Sequence, residues 1–110
     1  MNATSVEVVQ NAYGYVLTFD LQNPDGTPFD LTANTAIKLN VQFANTSGIK
    51  FTAGLSATGT PTDGKAQYTV GQSDFSEAGT YNAQIEVDLP SGVQIWPNIT
   101  IRAYKQLPNF

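Results

Sequence analysis

Residues 80–89 read TYNAQIEVDL, and every second residue of this stretch is apolar. Tyr81, Ile85 and Val87 belong to the apolar set, whereas Asn82 and Glu86 belong to the polar set. A β-strand points successive side chains to opposite faces, so the stretch predicts a strand with one buried face and one solvated face. Seven stretches of the chain alternate in this way. The sequence therefore predicts an all-β sandwich of about seven antiparallel strands.

Length and composition indicate one domain. The chain has 110 residues, and we expect the sandwich to occupy residues 1–104 and an exit segment or linker to occupy residues 105–110. There is no cysteine, so neither a disulfide nor thiolate chemistry is available. There is also no histidine, which removes the commonest metal ligand and the commonest general base.

The charge balance restricts the class of partner. Charged residues make up 13% of the chain and the net charge is −4, which argues against nucleic acid or an anionic membrane surface. Residues 1–10 contain neither the basic nor the apolar region of a signal peptide, so we expect synthesis in the cytoplasm without a leader. No apolar run approaches the roughly 18 residues of a membrane span.

Three aspartates around the first turn raise the question of a calcium site. Asp20, Asp25 and Asp30 are five residues apart, and carboxylates are ligands that Ca²⁺ prefers. Their spacing does not match a calcium-binding loop, and Asp25 lies in the turn Asn23-Pro24-Asp25-Gly26. Here Pro24 sets φ and Gly26 takes the left-handed position, which gives Gly26 a structural role. We therefore predict no metal and no cofactor.

Glu86 and Asp88 lie on the same polar face of one predicted strand, so their carboxylates should be about 7 Å apart. A glycosidase can use such a pair. Nothing in the sequence supplies a cleft, a raised pKa or a nucleophile–base pair, so we predict that the protein is not an enzyme.

The last predicted strand, residues 93–104, carries most of the candidate interface residues. If its alternation is continuous, Val93 and Ile95 face inward and Trp96 faces outward, where tryptophan is a common hot spot of protein interfaces. The alternative is that a kink at Pro97 turns Trp96 into a rim of the core, since proline inside a strand marks an edge or a bulge. The candidate interface residues are Trp96, Asn98, Arg102 and Tyr104, with Gln84 and Glu86 on the preceding strand.

Gly79-Thr80-Tyr81 at the start of the long strand resembles the tyrosine corner of immunoglobulin-type sandwiches. In that motif the tyrosine hydroxyl returns to the backbone upstream, which would here be near Asp74 or Phe75. The resemblance implies an immunoglobulin-like sandwich without a disulfide, in which Tyr81 and Gly79 are structural.

Four longer motifs are similar to the immunoglobulin-like N-terminal domain of phage baseplate upper proteins. They are DGTPFDLT at 25–32, TDGKAQY at 62–68, DFSEAGTY at 74–81 and WPN at 96–98. The resemblance covers roughly residues 14–104 and implies a structural module of a tail baseplate or tail fibre in the virion. There it would anchor the host-attachment machinery through other virion subunits, as part of a longer chain that forms a homotrimer.

An alternative function is a carbohydrate-binding module that recognises polysaccharide of the host cell wall. In that case Trp96, or the aromatic pair Tyr13 and Tyr15, would stack on a sugar ring.

Overall fold

A computed structural model describes residues 5–43, 50–72 and 74–105, except the side chain of Asn98. The predicted all-β fold is confirmed. The segment Asn45-Thr46-Ser47-Gly48, whose composition predicts a hairpin loop, lies outside the described residues, as do residues 106–110 of the predicted exit segment. The strands are β1 (Ser5–Val9), β2 (Val16–Asp20), β3 (Ala36–Phe43), β4 (Phe51–Ala57), β5 (Lys65–Thr69), β6 (Gly79–Leu89) and β7 (Gly92–Tyr104).

The seven strands follow one another in the order β1-β7-β6-β3-β4-β5-β2. β4 connects the two layers of the sandwich, because its first part pairs with β3 and its end, Ser56 and Ala57, pairs with β5. One layer contains β1, β7, β6, β3 and most of β4, and the other contains β5 and β2. A sheet that continues from one layer to the other encloses the apolar faces of both.

The pairing of β1 with β7 is parallel, with Ser5 opposite Thr100. The other five strand pairings are antiparallel, as the sequence predicts. Antiparallel neighbours can be joined by a short turn, whereas parallel neighbours need a long connection. β1 and β7 are separated by the rest of the domain, so nothing local requires them to run in opposite directions.

The core lies between the two layers and is almost entirely apolar. Leu39, Val41, Ile85, Val87 and Ile101 are fully buried, on the faces that the alternation predicts. An aromatic cluster at one end joins β4, β6 and the segment before β6, and its rings meet edge to face. The ring centroids of Phe51 and Phe75 are 5.7 Å apart, and those of Phe75 and Tyr81 are 5.2 Å apart. In the described part of the chain no helix is long and apolar enough to cross a membrane.

Gly64 fixes the approach of β5 to the segment that follows β2. It has a φ of 70° after the short 3₁₀ turn Pro61–Asp63, and its carbonyl oxygen accepts a hydrogen bond of 2.7 Å from the N–H of Leu21. A Cβ atom at Gly64 would lie 2.5 Å from the carbonyl oxygen of Leu21 and 2.9 Å from the backbone nitrogen of Phe29. Gly26 also has a positive φ, of 89°, but a Cβ there would meet nothing within 4 Å.

We predict that Gly64→Ala destabilises the domain by several kcal/mol more than Gly26→Ala. At Gly26 the substitution adds only the cost of a left-handed residue, about 1–2 kcal/mol, whereas at Gly64 it also forces backbone atoms apart. Urea unfolding of both variants measures the difference. Equal losses of stability would contradict the close packing around Gly64.

Candidate interaction surface

The outer face, the solvent side of β3, β6 and β7, is the candidate interaction surface. Three paired strands form it, and their register places polar residues of neighbouring strands directly opposite each other. Asn40 is opposite Gln84, and Gln42 is opposite Asn82. Because these residues belong to the interior of paired strands, their backbone positions are fixed before any partner binds.

These four carboxamides surround a shallow recess of about 320 Å³, which we call the carboxamide recess. Pro97 of β7 lies beside it, and none of the described residues that line it is charged. The carboxamide oxygen of Asn40 accepts a hydrogen bond of 2.8 Å from the hydroxyl of Thr52 on β4. A carboxamide both donates and accepts hydrogen bonds, so the recess suits a neutral polar ligand or protein surface.

A β-bulge in β7 lies directly beside this recess. Ala83 pairs with Ile99 and Ile85 pairs with Trp96, so the two residues Pro97 and Asn98 stand opposite the single residue Gln84. An extra residue in one strand bends it and reverses which side chains face inward beyond that point. The alternation along β7 is therefore not continuous.

The bulge settles the alternative that the sequence leaves open for Trp96. Trp96 is only 1% exposed, its indole N–H donates a hydrogen bond of 3.0 Å to the carbonyl oxygen of Gln22, and its ring meets Phe29 edge to face at 4.9 Å. Trp96 is thus a core residue. Its place among the interface candidates is wrong, because the extra residue at 97–98 turns it inward.

The same bulge overturns the predicted orientation of Val93 and Ile95. They are 52% and 41% exposed and lie opposite Asp88 and Glu86 on the outer face. Counting every second residue back from Ile101 and Ile99 across Pro97 reaches Ile95 and Val93. The sequence pattern assigns these two residues to the core only if that alternation is unbroken. The signal in the sequence for their outward orientation is Pro97, because proline rarely occurs inside a strand without a bulge.

Arg102 and Tyr104 occupy the far end of β7, and both are exposed, Tyr104 by 47%. The hydroxyl of Tyr104 donates a hydrogen bond to the carboxylate of Glu7 on β1. This bond raises the pKa of Tyr104. Two of the predicted interface residues are therefore available at this end, whereas the side chain of Asn98 lies outside the described part of the structure.

Gln84 and Glu86 are half-buried on β6. Gln84 belongs to the carboxamide recess, whereas Glu86 shares the ammonium of Lys38 with Asp88, at N–O distances of 3.7 and 3.2 Å. The pKa of Asp88 is lowered, mainly by its hydrogen bond with Glu86 and next by Lys38. Asp88 in turn raises the pKa of Lys38. A general acid at neutral pH needs a raised carboxyl pKa, so the shift at Asp88 has the wrong sign for that role.

The three aspartates of the possible calcium site each have a separate local partner. Asp20 pairs with Lys65 at 2.6 Å, Asp25 accepts hydrogen bonds from Thr27, and Asp30 accepts them from Thr32. The hydroxyl hydrogen bonds lower the pKa of both Asp25 and Asp30. No group of three or more acidic residues within the described ranges could hold a metal ion.

Tyr81 makes the corner that the sequence predicts, with a different backbone partner. Its hydroxyl donates to the carbonyl oxygen of Glu77 at 2.6 Å, rather than to Asp74 or Phe75. Its ring is fully buried and meets Phe43 edge to face at 4.8 Å. Gly79 has a φ of 139°, and a Cβ there would lie 3.3 Å from the ring of Phe43. Gly79 therefore leaves the space in which the ring of Phe43 packs.

A family model described as the BppU N-terminal domain, BppU being the baseplate upper protein, matches residues 7–102. The chain belongs to the BppU N-terminal domain family. The resemblance that the sequence motifs indicate is thereby confirmed. No curated protein matches the sequence.

The fold is also similar to the crystal structure of an engineered protein determined at 1.98 Å resolution. The TM-score is 0.52 with 14% sequence identity, and the match covers 93% of this chain. The chain spans only 18% of the length of that protein. At this identity the likeness shows the fold alone.

As a BppU N-terminal domain, the chain is a structural component of a phage baseplate and is located in the virion. Asn40 and Gln42 line the carboxamide recess but are not among the interface residues predicted from the sequence. The alternation along β3 does point both residues outward. Their convergence with Asn82 and Gln84 depends on the register of β3 with β6, which the chain alone does not specify.

We predict that Trp96→Ala destabilises the BppU N-terminal domain by about 3–5 kcal/mol, because it opens a large cavity in the core and removes a buried hydrogen bond. Val93→Ala on the same strand should change the free energy of unfolding by less than about 0.5 kcal/mol, because Val93 is exposed. Chemical denaturation measures both. A Trp96→Ala variant as stable as Val93→Ala would contradict the burial of Trp96.

A second prediction concerns Tyr68, whose hydroxyl donates a hydrogen bond to Asp74. Burial, and then this bond, raise the pKa of Tyr68 to about 12. A raised folded-state pKa means that the neutral form is favoured in the native state, so stability should fall as the pH rises from the unfolded value near 10 towards 12. Tyr68→Phe should reduce that slope. An unchanged slope between these pH values would contradict the assignment.

Proposed function

We propose that this domain docks onto neighbouring baseplate proteins through its outer face and so anchors the host-attachment machinery of the virion. The observation that carries the proposal is the neutral carboxamide recess, set between the exposed apolar pair Val93 and Ile95 on one side and Arg102 and Tyr104 on the other. The family supplies the setting, because a baseplate component contacts other virion proteins.

The composition of the outer face supports docking to protein. Interfaces combine an apolar or aromatic part with a hydrogen-bonding surround, and arginine and tyrosine are enriched in them. The outer face offers both kinds of group on strands that are already paired. Binding then orders few side chains and no backbone, which reduces the entropic cost of association.

The electrostatics of the outer face also support docking to protein. Lys38 holds the two carboxylates of β6, Glu86 and Asp88, and compensates one of their two negative charges. The remaining negative charge, in a chain whose net charge is −4, favours a neutral or basic neighbour at this part of the outer face.

The scaffold of the proposal is an immunoglobulin-like sandwich. Two features support it: the corner that Tyr81 makes with Glu77 at the start of β6, and the two-layer arrangement that β4 connects. We infer that this scaffold acts by binding and not by catalysis. The homotrimer of a longer chain and attachment to the host stay predictions that follow from the family resemblance.

The carbohydrate-binding alternative loses Trp96, which is buried, but the recess is an observation in its favour. Carboxamides also bind sugar hydroxyls, and Tyr13 is 58% exposed elsewhere on the surface. The described residues that line the recess include no aromatic ring, so they offer a sugar no stacking platform. We therefore rank docking to protein first.

The experiment is capture of the remaining baseplate proteins of the same phage by the immobilised domain. Gln84→Arg places a long charged side chain in the recess and should weaken capture at least tenfold. The matched control is Gln67→Arg, since Gln67 is also half-buried in a strand but belongs to β5 in the other layer. The control should capture as the wild type does.

Capture that is unchanged in Gln84→Arg would contradict docking through the outer face, and so would equal loss in both variants. Titration with host cell-wall polysaccharide separates the alternative. Saturable binding that Gln84→Arg abolishes, together with no capture of baseplate proteins, would favour carbohydrate recognition.

A further inference from the structure

The first half of β7 forms an edge of the sheet. β1 pairs only with residues 100–104 of β7, from Ser5 opposite Thr100 to Val9 opposite Tyr104. β6 pairs with the whole length of β7 on the other side. Among the described residues, nothing pairs with the outer side of residues 92–96. We call this segment the free edge.

Natural proteins usually protect an edge strand with charge, proline or a bulge. The free edge reads GVQIW and contains no charged residue. Its protection, Pro97 and the bulge, begins only where the segment ends. Val93 and Ile95 are β-branched, 52% and 41% exposed, and point to the same side of the sheet. Residues of this kind pair well across strands.

The free edge is complementary to itself. When two copies run antiparallel about a two-fold axis at Gln94, Val93 of each copy lies opposite Ile95 of the other, and no charged residue enters the pairing. Each apolar side chain thereby covers its counterpart. This is the requirement of an isologous contact, in which the same patch serves both subunits.

The two terminal strands of the sheet, β1 and β2, do not meet this requirement. Self-pairing of β1 about its central residue would place Glu7 opposite Glu7 of the second copy, which is repulsive. Self-pairing of β2 about Thr18 would place Val16 opposite Asp20. The free edge of β7, unlike β1 and β2, presents a neutral, apolar match to a second copy.

The length of the free edge also allows the contact. Pairing about Gln94 places Gly92 of the second copy opposite Trp96. The described pairing of β7 with β1 starts four residues later, at Thr100. The incoming strand therefore ends before it reaches β1. The two sheets would then continue from one copy into the other through β7.

We propose that two copies of this chain associate through antiparallel pairing of the free edge, residues 92–96, about a two-fold axis at Gln94. The inference goes beyond the proposed function and does not depend on it. A five-residue pairing buries little area, so the isolated dimer should be weak. Copies held in one assembly reach effective concentrations of about 1 mM, at which a weak contact is populated.

The first experiment is sedimentation equilibrium of the full chain from about 10 μM to about 1 mM. We expect a monomer–dimer equilibrium. Ile95→Lys should raise the dissociation constant at least tenfold, since it places a charge opposite Val93 of the second copy. The matched control is Val16→Lys, because Val16 is 50% exposed on the edge strand β2. It should leave the dissociation constant unchanged.

The second experiment does not depend on that substitution. The chain has no cysteine, so Gln94→Cys introduces a single thiol at the two-fold axis. Directly opposed residues of antiparallel strands have Cα atoms about 4.5–5.5 Å apart, a separation that a disulfide can span. Mild oxidation should therefore yield a covalent dimer, whereas Thr18→Cys on β2 should remain mostly monomeric. Circular dichroism confirms that each variant is folded.

A chain that stays monomeric at about 1 mM would overturn the proposal. A dimer that Val16→Lys dissociates and Ile95→Lys does not would overturn it as well, because the contact would then involve β2. A trimer would contradict the two-fold axis. Equal oxidation of Gln94→Cys and Thr18→Cys would show random collision and not pairing.

Discussion

The bulge in β7 opposite Gln84 is the constraint on which the rest of the structure depends. Pro97 and Asn98 together occupy the space of one residue in the ladder. Without that extra residue, Trp96 would point to solvent and the exposed pair Val93 and Ile95 would point into the core. One insertion in one strand thus decides which side chains of β7 belong to the core and which are exposed on the outer face.

The bulge also links the core to the outer face. On the inner side, the indole N–H of Trp96 binds the carbonyl oxygen of Gln22 and its ring packs on Phe29, so the segment after β2 is tied to β7. On the outer side, Pro97 borders the carboxamide recess. A change at Pro97 would therefore alter the packing of the core and the shape of the surface together. Substitutions meant to probe the surface are better made at Gln84, whose side chain lies in the recess.

The alternation of side chains was sufficient to predict seven strands and the faces of β3 and β6, and the Gly79-Thr80-Tyr81 motif indicated the corner at Tyr81. These features depend on residues close together in the chain, where the period of a strand is the dominant signal. Sequence reasoning failed at Val93 and Ile95 because an insertion of one residue shifts the pattern without interrupting it. It also could not predict the carboxamide recess, since the convergence of Asn40 with Gln84 is a matter of register between strands 44 residues apart. The parallel direction of β1 is a tertiary property of the same kind.

The pairing of β1 with β7 has a consequence for the order in which the strands fold during synthesis. Ser5 and Thr100 are paired, although 95 positions separate them in the chain. When a ribosome has made β1, the strand that will pair with it does not yet exist, so β1 must wait unpaired through the translation of nearly the whole domain. Contacts of such separation form late and slowly. Of the seven strands, β1 is synthesised first but is among the last to pair. The sheet is complete only after β7 has left the ribosome.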